Sequence, residues 1–261
     1  MSAPGLSAFD LVIFDWAGTM VDFGSRAPIQ ALVRAFEMQG VALSETAARK
    51  DMGRAKVDHV RALLAEPDVA AAWTAAGHPI PDETHVAAIM ADLTPLMREA
   101  AAAASELILG AAETSAALRA AGIRVASCTG YTRDMMGPVL ARAAEQGYSP
   151  DMVVCAGETP QGRPSPLMIY RICAELGVWP LSRVVKVDDA EAGIEEGRNA
   201  GCFTVGLAAS GNGLGLSRAE LEGLTPAERE ARLAPVRASM YAAGADLVID
   251  SVADLMKALG G

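Results

Sequence analysis

The sequence predicts an α/β protein: a doubly wound parallel-sheet core, interrupted after its first strand by a helical insertion. Three observations carry that prediction. Leu11-Val12-Ile13-Phe14 is a continuous apolar run leading into Asp15-Trp16-Ala17-Gly18-Thr19, the pattern of a parallel strand buried on both faces and followed by a tight turn. From Leu107 onward helical and strand patterns alternate, the signature of a parallel sheet with crossover helices. Between about Gly24 and Ser105 there is helical periodicity and no strand. The expected division is therefore residues 1–24 for the first strand and its loop, 25–105 for a helical cap, and 106–261 for the rest of the core.

Each element has its own signal. Pro28 suits a first helical turn, and Ile29, Leu32, Val33 and Phe36 trace one face before Gly40 stops the helix. Val57, Val60 and Leu64 mark a second helix, ended near Pro67. A third starts at Asp82 as N-cap and carries Val86, Ile89, Met90, Leu93 and Met97 on one face, with a kink expected at Pro95 and helix continuing through 100–104. Beyond it, helix 111–121 leads to strand 124–128, and helix 133–144 to strand 152–155. Helix 166–176 then precedes strand 184–187, and helix 190–200 precedes strand 203–207. A glycine-rich loop at 210–215, one or two helices, a strand at 247–249 and a terminal helix complete the chain.

Bulk properties narrow the function. A length of 261 residues is ample for a real core. Hydrophobic content of 51% with 5% aromatics reflects alanine-rich helices. The mean hydropathy of +0.24 comes without any apolar stretch of membrane-spanning length. A formal charge of −10 and a pI near 4.8 argue against nucleic acid or an anionic membrane as partners. An anionic substrate then needs a metal or a few placed cations. Met1–Ala8 lacks the basic start and apolar core of a secretory leader. Cys128, Cys155, Cys173 and Cys202 form no CxxC pair and no metal-ligand spacing, which predicts small buried thiols and a reducing, cytoplasmic setting.

In a right-handed parallel sheet the carboxyl ends of all strands share one edge. Asp15, Thr129 and Asp189 each follow a predicted strand and should converge there. Asp15 is a carboxylate of the kind that forms aspartyl-phosphate intermediates. Thr129 and the N–H of Gly130 can hold phosphoryl oxygens, and Arg163 offers a forked donor. Asp15, Asp189 and the carbonyl of Ala17 make a hard-oxygen set suited to Mg²⁺. Taken singly, Thr129 reads as a turn cap, Arg163 as a solvated loop residue, and Asp188-Asp189 as a helix N-terminus. Together, in this order after strands, they read as a site for phosphoryl transfer.

The set resembles the haloacid-dehalogenase-like hydrolases, over roughly residues 8–24 and 106–261. Phosphate-ester hydrolases of that superfamily carry an acid two residues beyond the nucleophile, where this chain has Ala17, so an ordinary phosphatase or mutase is disfavoured. The insertion offers other chemistry. Met52, Lys56 and His59 are spaced to share a helical face; a lysine can form an imine, and a histidine beside it can move protons near neutral pH.

These words, with Thr129-Gly130-Tyr131-Thr132-Arg133, Gly162-Arg163-Pro164, Glu196-Gly197-Arg198-Asn199-Ala200-Gly201 and the loop Gly211–Leu216, are similar to those of the phosphonoacetaldehyde hydrolase (phosphonatase) family over almost the whole chain. The resemblance implies Asp15 as nucleophile and Lys56 as the Schiff-base lysine, with a small phosphonate as substrate. It also implies Mg²⁺ held by Asp15, Ala17 and Asp189, and a homodimer. Some members have Gly-Asp-Thr where this chain has Asp188-Asp189-Ala190, an acidic residue at Gly193, and a cysteine at Ser25. A phosphate-ester enzyme on the same fold, or a silent binding protein, are the competing expectations.

Overall fold

A run of apolar residues with no polar alternation is stable only between two covering layers, and Leu11–Phe14 is buried at every position. The computed structural model describes residues 4–260; the first three residues of the Met1–Ala8 segment lie outside it. The strands are β1 (Leu11–Phe14), β2 (Arg124–Thr129), β3 (Met152–Cys155), β4 (Val184–Asp188), β5 (Phe203–Leu207) and β6 (Leu247–Ile249). They form one sheet in the order β3-β2-β1-β4-β5-β6, every pair parallel. Phe14 stands opposite Ser127 of β2 and Val187 of β4, so the carboxyl ends of these three strands fall within two residues of one another. Pleating sends Leu11 and Ile13 to one core and Val12 and Phe14 to the other.

The insertion contains α1 (Ala27–Met38), α2 (Glu45–Arg49), α3 (Lys56–Ala65), α4 (Pro67–Ala75) and α5 (Glu83–Ala103). Two of these were not expected. Helix α2 is too short to display a periodicity, and it is held by Ser44, whose hydroxyl accepts the Ala47 N–H at 3.1 Å. Pro67 does end α3, but it also opens α4 as a first-turn residue, where its missing N–H costs nothing. Helix α5 begins at the expected cap: Asp82 accepts from the N–H groups of Thr84 and His85 at 2.9 and 3.2 Å. It runs uninterrupted through Pro95. Its apolar face (Ile89, Leu93, Met97) packs with Ile29, Leu32 and Phe36 of α1 in the larger core.

The remaining helices are α6 (Ala111–Ala120), α7 (Arg133–Glu145), α8 (Leu167–Leu176), α9 (Glu191–Ala200), α10 (Arg218–Glu222), α11 (Pro226–Ala243) and α12 (Leu255–Ala258). On one face Met168, Ile169 and Ile172 of α8 cover Leu11, Ile13 and Val154. Strands β2 and β4 each run one residue further than the sequence suggests, so Thr129 and Asp188 are themselves strand ends. All four cysteines are buried and free. Among the described residues no helix is long and apolar enough to cross a membrane.

Candidate active site

The adjacent carboxyl ends of β1, β2 and β4 bring the expected residues together. The Asp15 N–H donates to the Val187 carbonyl at 3.0 Å, which seats Asp15 directly over the β1–β4 pair. A small cavity opens there. It is lined from the core by Asp15, Ala17, Thr129, Gly130, Tyr131, Arg163, Asp189 and Ala190, and from the insertion side by Ser25, Pro28, Met52, Gly53 and Lys56. The insertion lies close: a methyl group at Gly130 would sit 2.9 Å from the Arg54 carbonyl oxygen and 3.0 Å from that of Gly53.

Charge is concentrated beneath the cavity. Arg163, 4% exposed, is no solvated loop residue. Its Nη1 lies 2.8 Å from Asp15 Oδ1 and 3.4 Å from Asp188 Oδ2, its Nε 2.9 Å from Glu196 Oε2, and its Nη2 donates to the Cys128 carbonyl at 2.7 Å. Lys186 is fully buried, with its Nζ 2.7 Å from Asp188 Oδ2 and 3.6 Å from Glu196 Oε2. Such buried pairs rarely add stability over apolar packing; they hold groups in fixed geometry. Thr129 does cap its turn, its hydroxyl accepting from the Tyr131 N–H at 3.1 Å, which leaves the hydroxyl proton free to donate into the cavity.

Burial sets the protonation preferences, and neighbours modify it. Desolvation raises the Asp15 carboxyl to about 6 against the opposing pull of Arg163. Burial and the charges of Asp15 and Asp188 push Asp189 well above the usual carboxylate range. Asp188 moves the other way: burial raises it, but Arg163 and Lys186 outweigh that and hold it low. Asp15, Asp188 and Asp189 offer oxygens within 4.8 Å of one another, all buried. Asp15 and Asp189 resist ionisation through burial first and neighbouring carboxylates second, a strain that a divalent cation relieves, and this hard-oxygen set fits Mg²⁺. Asp188 has room because residue 193 is glycine: a Cβ there would lie 2.0 Å from the Asp188 carboxylate.

Lys56, the first residue of α3, is 5% exposed. Its Nζ donates to Met52 Sδ at 3.4 Å, a weak acceptor, and lies 6.0 Å from the centre of the Tyr131 ring. Burial lowers its pKa to about 8 although Asp15 favours the ammonium form. Two expectations need correcting. Met52 does not share a helical face with Lys56, because it sits in the turn before α3 and reaches the amine from there. His59 does not line the cavity. It is fully buried behind it, with no well-formed hydrogen bond to either ring nitrogen. Burial and the Lys56 charge outweigh the nearby Lys50 and Ala48 backbone and lower its pKa to about 3. Burial thus holds the imidazole toward its neutral form. Sequence reasoning also missed Lys186 and Glu196; the available signal was a lysine inside an otherwise apolar strand, Val184-Val185-Lys186-Val187.

The family model for haloacid dehalogenase-like hydrolases matches residues 9–201. The phosphonoacetaldehyde hydrolase of Paraburkholderia phytofirmans is 48% identical over 94% of this chain and 92% of its own length. That of Syntrophobacter fumaroxidans is 43% identical over 92% of this chain and 87% of its own. A crystal structure of a phosphonoacetaldehyde hydrolase-like protein from Oleispira antarctica matches with a TM-score of 0.95 at 37% identity, covering 100% of this chain and 94% of that one. A chain so close to these enzymes along nearly its whole length belongs to the phosphonoacetaldehyde hydrolases, within the haloacid dehalogenase-like hydrolase family.

Proposed function

We propose that the protein hydrolyses the carbon–phosphorus bond of phosphonoacetaldehyde to acetaldehyde and phosphate, with residues 25–105 acting as a cap over a core of 1–24 and 106–261. The observation that carries this reading is the pairing, across one small cavity, of a buried lysine and a strand-end carboxylate. A phosphate-ester substrate would need an acid for its leaving oxygen, and position 17 supplies only a methyl group. A phosphonate has a different difficulty: its leaving group is a carbanion, which needs an electron sink.

Lys56 answers that need. Its neutral amine adds to the aldehyde carbon, water leaves, and the protonated imine draws electrons from the adjacent bond. Asp15 attacks phosphorus, the carbon–phosphorus bond breaks, and its electron pair moves into an enamine on Lys56. Protonation at carbon and addition of water release acetaldehyde and restore the amine. A second water cleaves the aspartyl phosphate, freeing phosphate and Asp15. Arg163 passes from Asp15 to the phosphoryl oxygens, where the Thr129 hydroxyl and Gly130 N–H also donate. Met52 and Tyr131 keep the amine in a pocket with no strong acceptor, and His59 backs it as a neutral wall. Asp15, Asp189 and the Ala17 carbonyl would hold Mg²⁺, which would supply the positive charge that lets two anions meet. The reading extends to a cytoplasmic homodimer, the compartment from four free thiols and the dimer from family resemblance.

Incubation with phosphonoacetaldehyde and Mg²⁺ tests it, following acetaldehyde with a coupled dehydrogenase and phosphate colorimetrically. The two products should appear in equal amounts, and Asp15→Asn should lower the rate by at least about 10³-fold. Turnover of phosphate monoesters with none of the phosphonate would overturn the assignment.

A further inference from the structure

Arg49, the last residue of α2, lies outside the cavity yet ties the insertion to the core through four hydrogen bonds. Its Nη1 faces the carbonyl of Gly24 at 3.1 Å and the backbone carbonyl and Oδ1 of Asn212 at 3.4 and 3.2 Å. Its Nη2 donates to the Gly215 carbonyl at 3.2 Å. Asn212 answers with its Nδ2, which donates to the Arg49 carbonyl at 3.1 Å. The nearest carboxylate partner is an exposed Glu45 oxygen at 3.9 Å, so this guanidinium is spent on shape, gripping backbone oxygens of two core segments.

The other side of Asn212 faces the chemistry. Its backbone N–H donates to Asp189 Oδ2 at 2.7 Å, the carboxylate assigned to the metal. Asn212 is 4% exposed and held from both directions. Nearby, Ser210 donates to the Gly18 carbonyl at 2.8 Å and accepts the Gly24 N–H at 2.7 Å, so the 210–215 loop embraces the nucleophile turn and the linker into the insertion. A short, continuous path therefore runs from α2 to the metal carboxylate.

We propose that Arg49 is a positioning residue that couples closure of the insertion over the core to the orientation of Asp189, acting through Asn212. With the insertion closed, Arg49 fixes Asn212, and the Asn212 N–H fixes which Asp189 oxygen remains free for the cation. With it open, the loop loses its grip and the carboxylate turns more freely. Coupling of this kind is reciprocal, so cation binding also favours closure. The inference rests on the assignment of Asp189 to Mg²⁺ made above.

Its test needs no turnover. Mg²⁺ affinity is measured by titration calorimetry without substrate in wild type, Arg49→Met, Arg49→Lys, Asn212→Ala and the Arg49→Met/Asn212→Ala double variant. Amide exchange of residues 44–65 is followed with and without Mg²⁺. Both single variants should bind Mg²⁺ about tenfold more weakly, and the double variant no more weakly than either, because both cut one path. Arg49→Lys keeps the charge but cannot span three carbonyl groups, so it should behave like Arg49→Met, and it preserves an answer should the latter fold poorly. Saturating Mg²⁺ should slow exchange of the 44–65 segment in wild type and not in the variants. Wild-type Mg²⁺ affinity in the variants alongside a raised KM would reduce Arg49 to a structural tie and overturn the coupling. Fully additive losses would overturn it too. Absence of Mg²⁺ binding in the wild type would instead sink the metal assignment, and this inference with it.

Discussion

At Lys56 one physical effect prepares the chemistry: an amine is buried beside a thioether instead of a strong acceptor, and its pKa falls to about 8. The proposed imine requires the neutral amine, and lower pH converts it to ammonium. kcat/KM should therefore climb about tenfold per pH unit below 8 and level off above it. An unperturbed lysine would place the break above pH 10. Initial rates between pH 6 and 11 decide between them, and a rise continuing past pH 10 would contradict the environment described for Lys56. Asp15, Thr129 and Asp189 could be placed from the sequence because strand ends fix where side chains emerge, whatever their partners; Arg163 lies in the loop between β3 and α8, and its burial was not legible there. Met52 was placed wrongly, because an i,i+4 spacing looks helical whether or not the helix has begun. The burial of His59 was not legible for a similar reason: exposure is a tertiary property, and the spacing that puts it one turn after Lys56 does not say which way its ring is covered.

Strand β4 and helix α9 show what an element contributes beyond its pattern. Lys186, Asp188 and Glu196 lie on these two elements, and the two carboxylates pair with both Lys186 and Arg163, so the charge beneath the nucleophile is assembled by strand–helix packing. No local signal specifies that network; a charged residue in a buried strand makes sense only once its partners are known. The same packing explains the pairing of Asp188 with Gly193, since one volume holds a carboxylate from either position but not from both. Gly193→Asp should destabilise the fold by on the order of 3 kcal/mol, through overlap and a second buried carboxylate. That lowers Tm by roughly 10 °C in calorimetry, and adding Asp188→Gly should restore much of it. A wild-type Tm in the single variant would show that the two positions do not share space.

Across the whole molecule, the sheet carries Asp15, Thr129 and Asp189 to the cavity, while the segment before β2 carries Lys56 to it. Gly53 and Lys56 meet Thr129, Gly130 and Arg163 around one small cavity. The all-helical character of the stretch between Gly24 and Ser105 was legible, since the described residues there hold helices and no strand. Its seam was not, because the Arg49–Asn212 contact joins residues far apart in the chain through backbone oxygens. The central claim is that the insertion's lysine becomes covalently bonded to substrate over the core's aspartate, and borohydride trapping tests it most directly. Borohydride added with phosphonoacetaldehyde should inactivate the enzyme irreversibly and leave an alkyl adduct that peptide mapping finds on Lys56; borohydride alone should leave activity intact. Lys56→Arg, which keeps the charge but forms no imine, should be inactive and unlabelled. An adduct on another lysine, or full activity in Lys56→Arg, would contradict the mechanism.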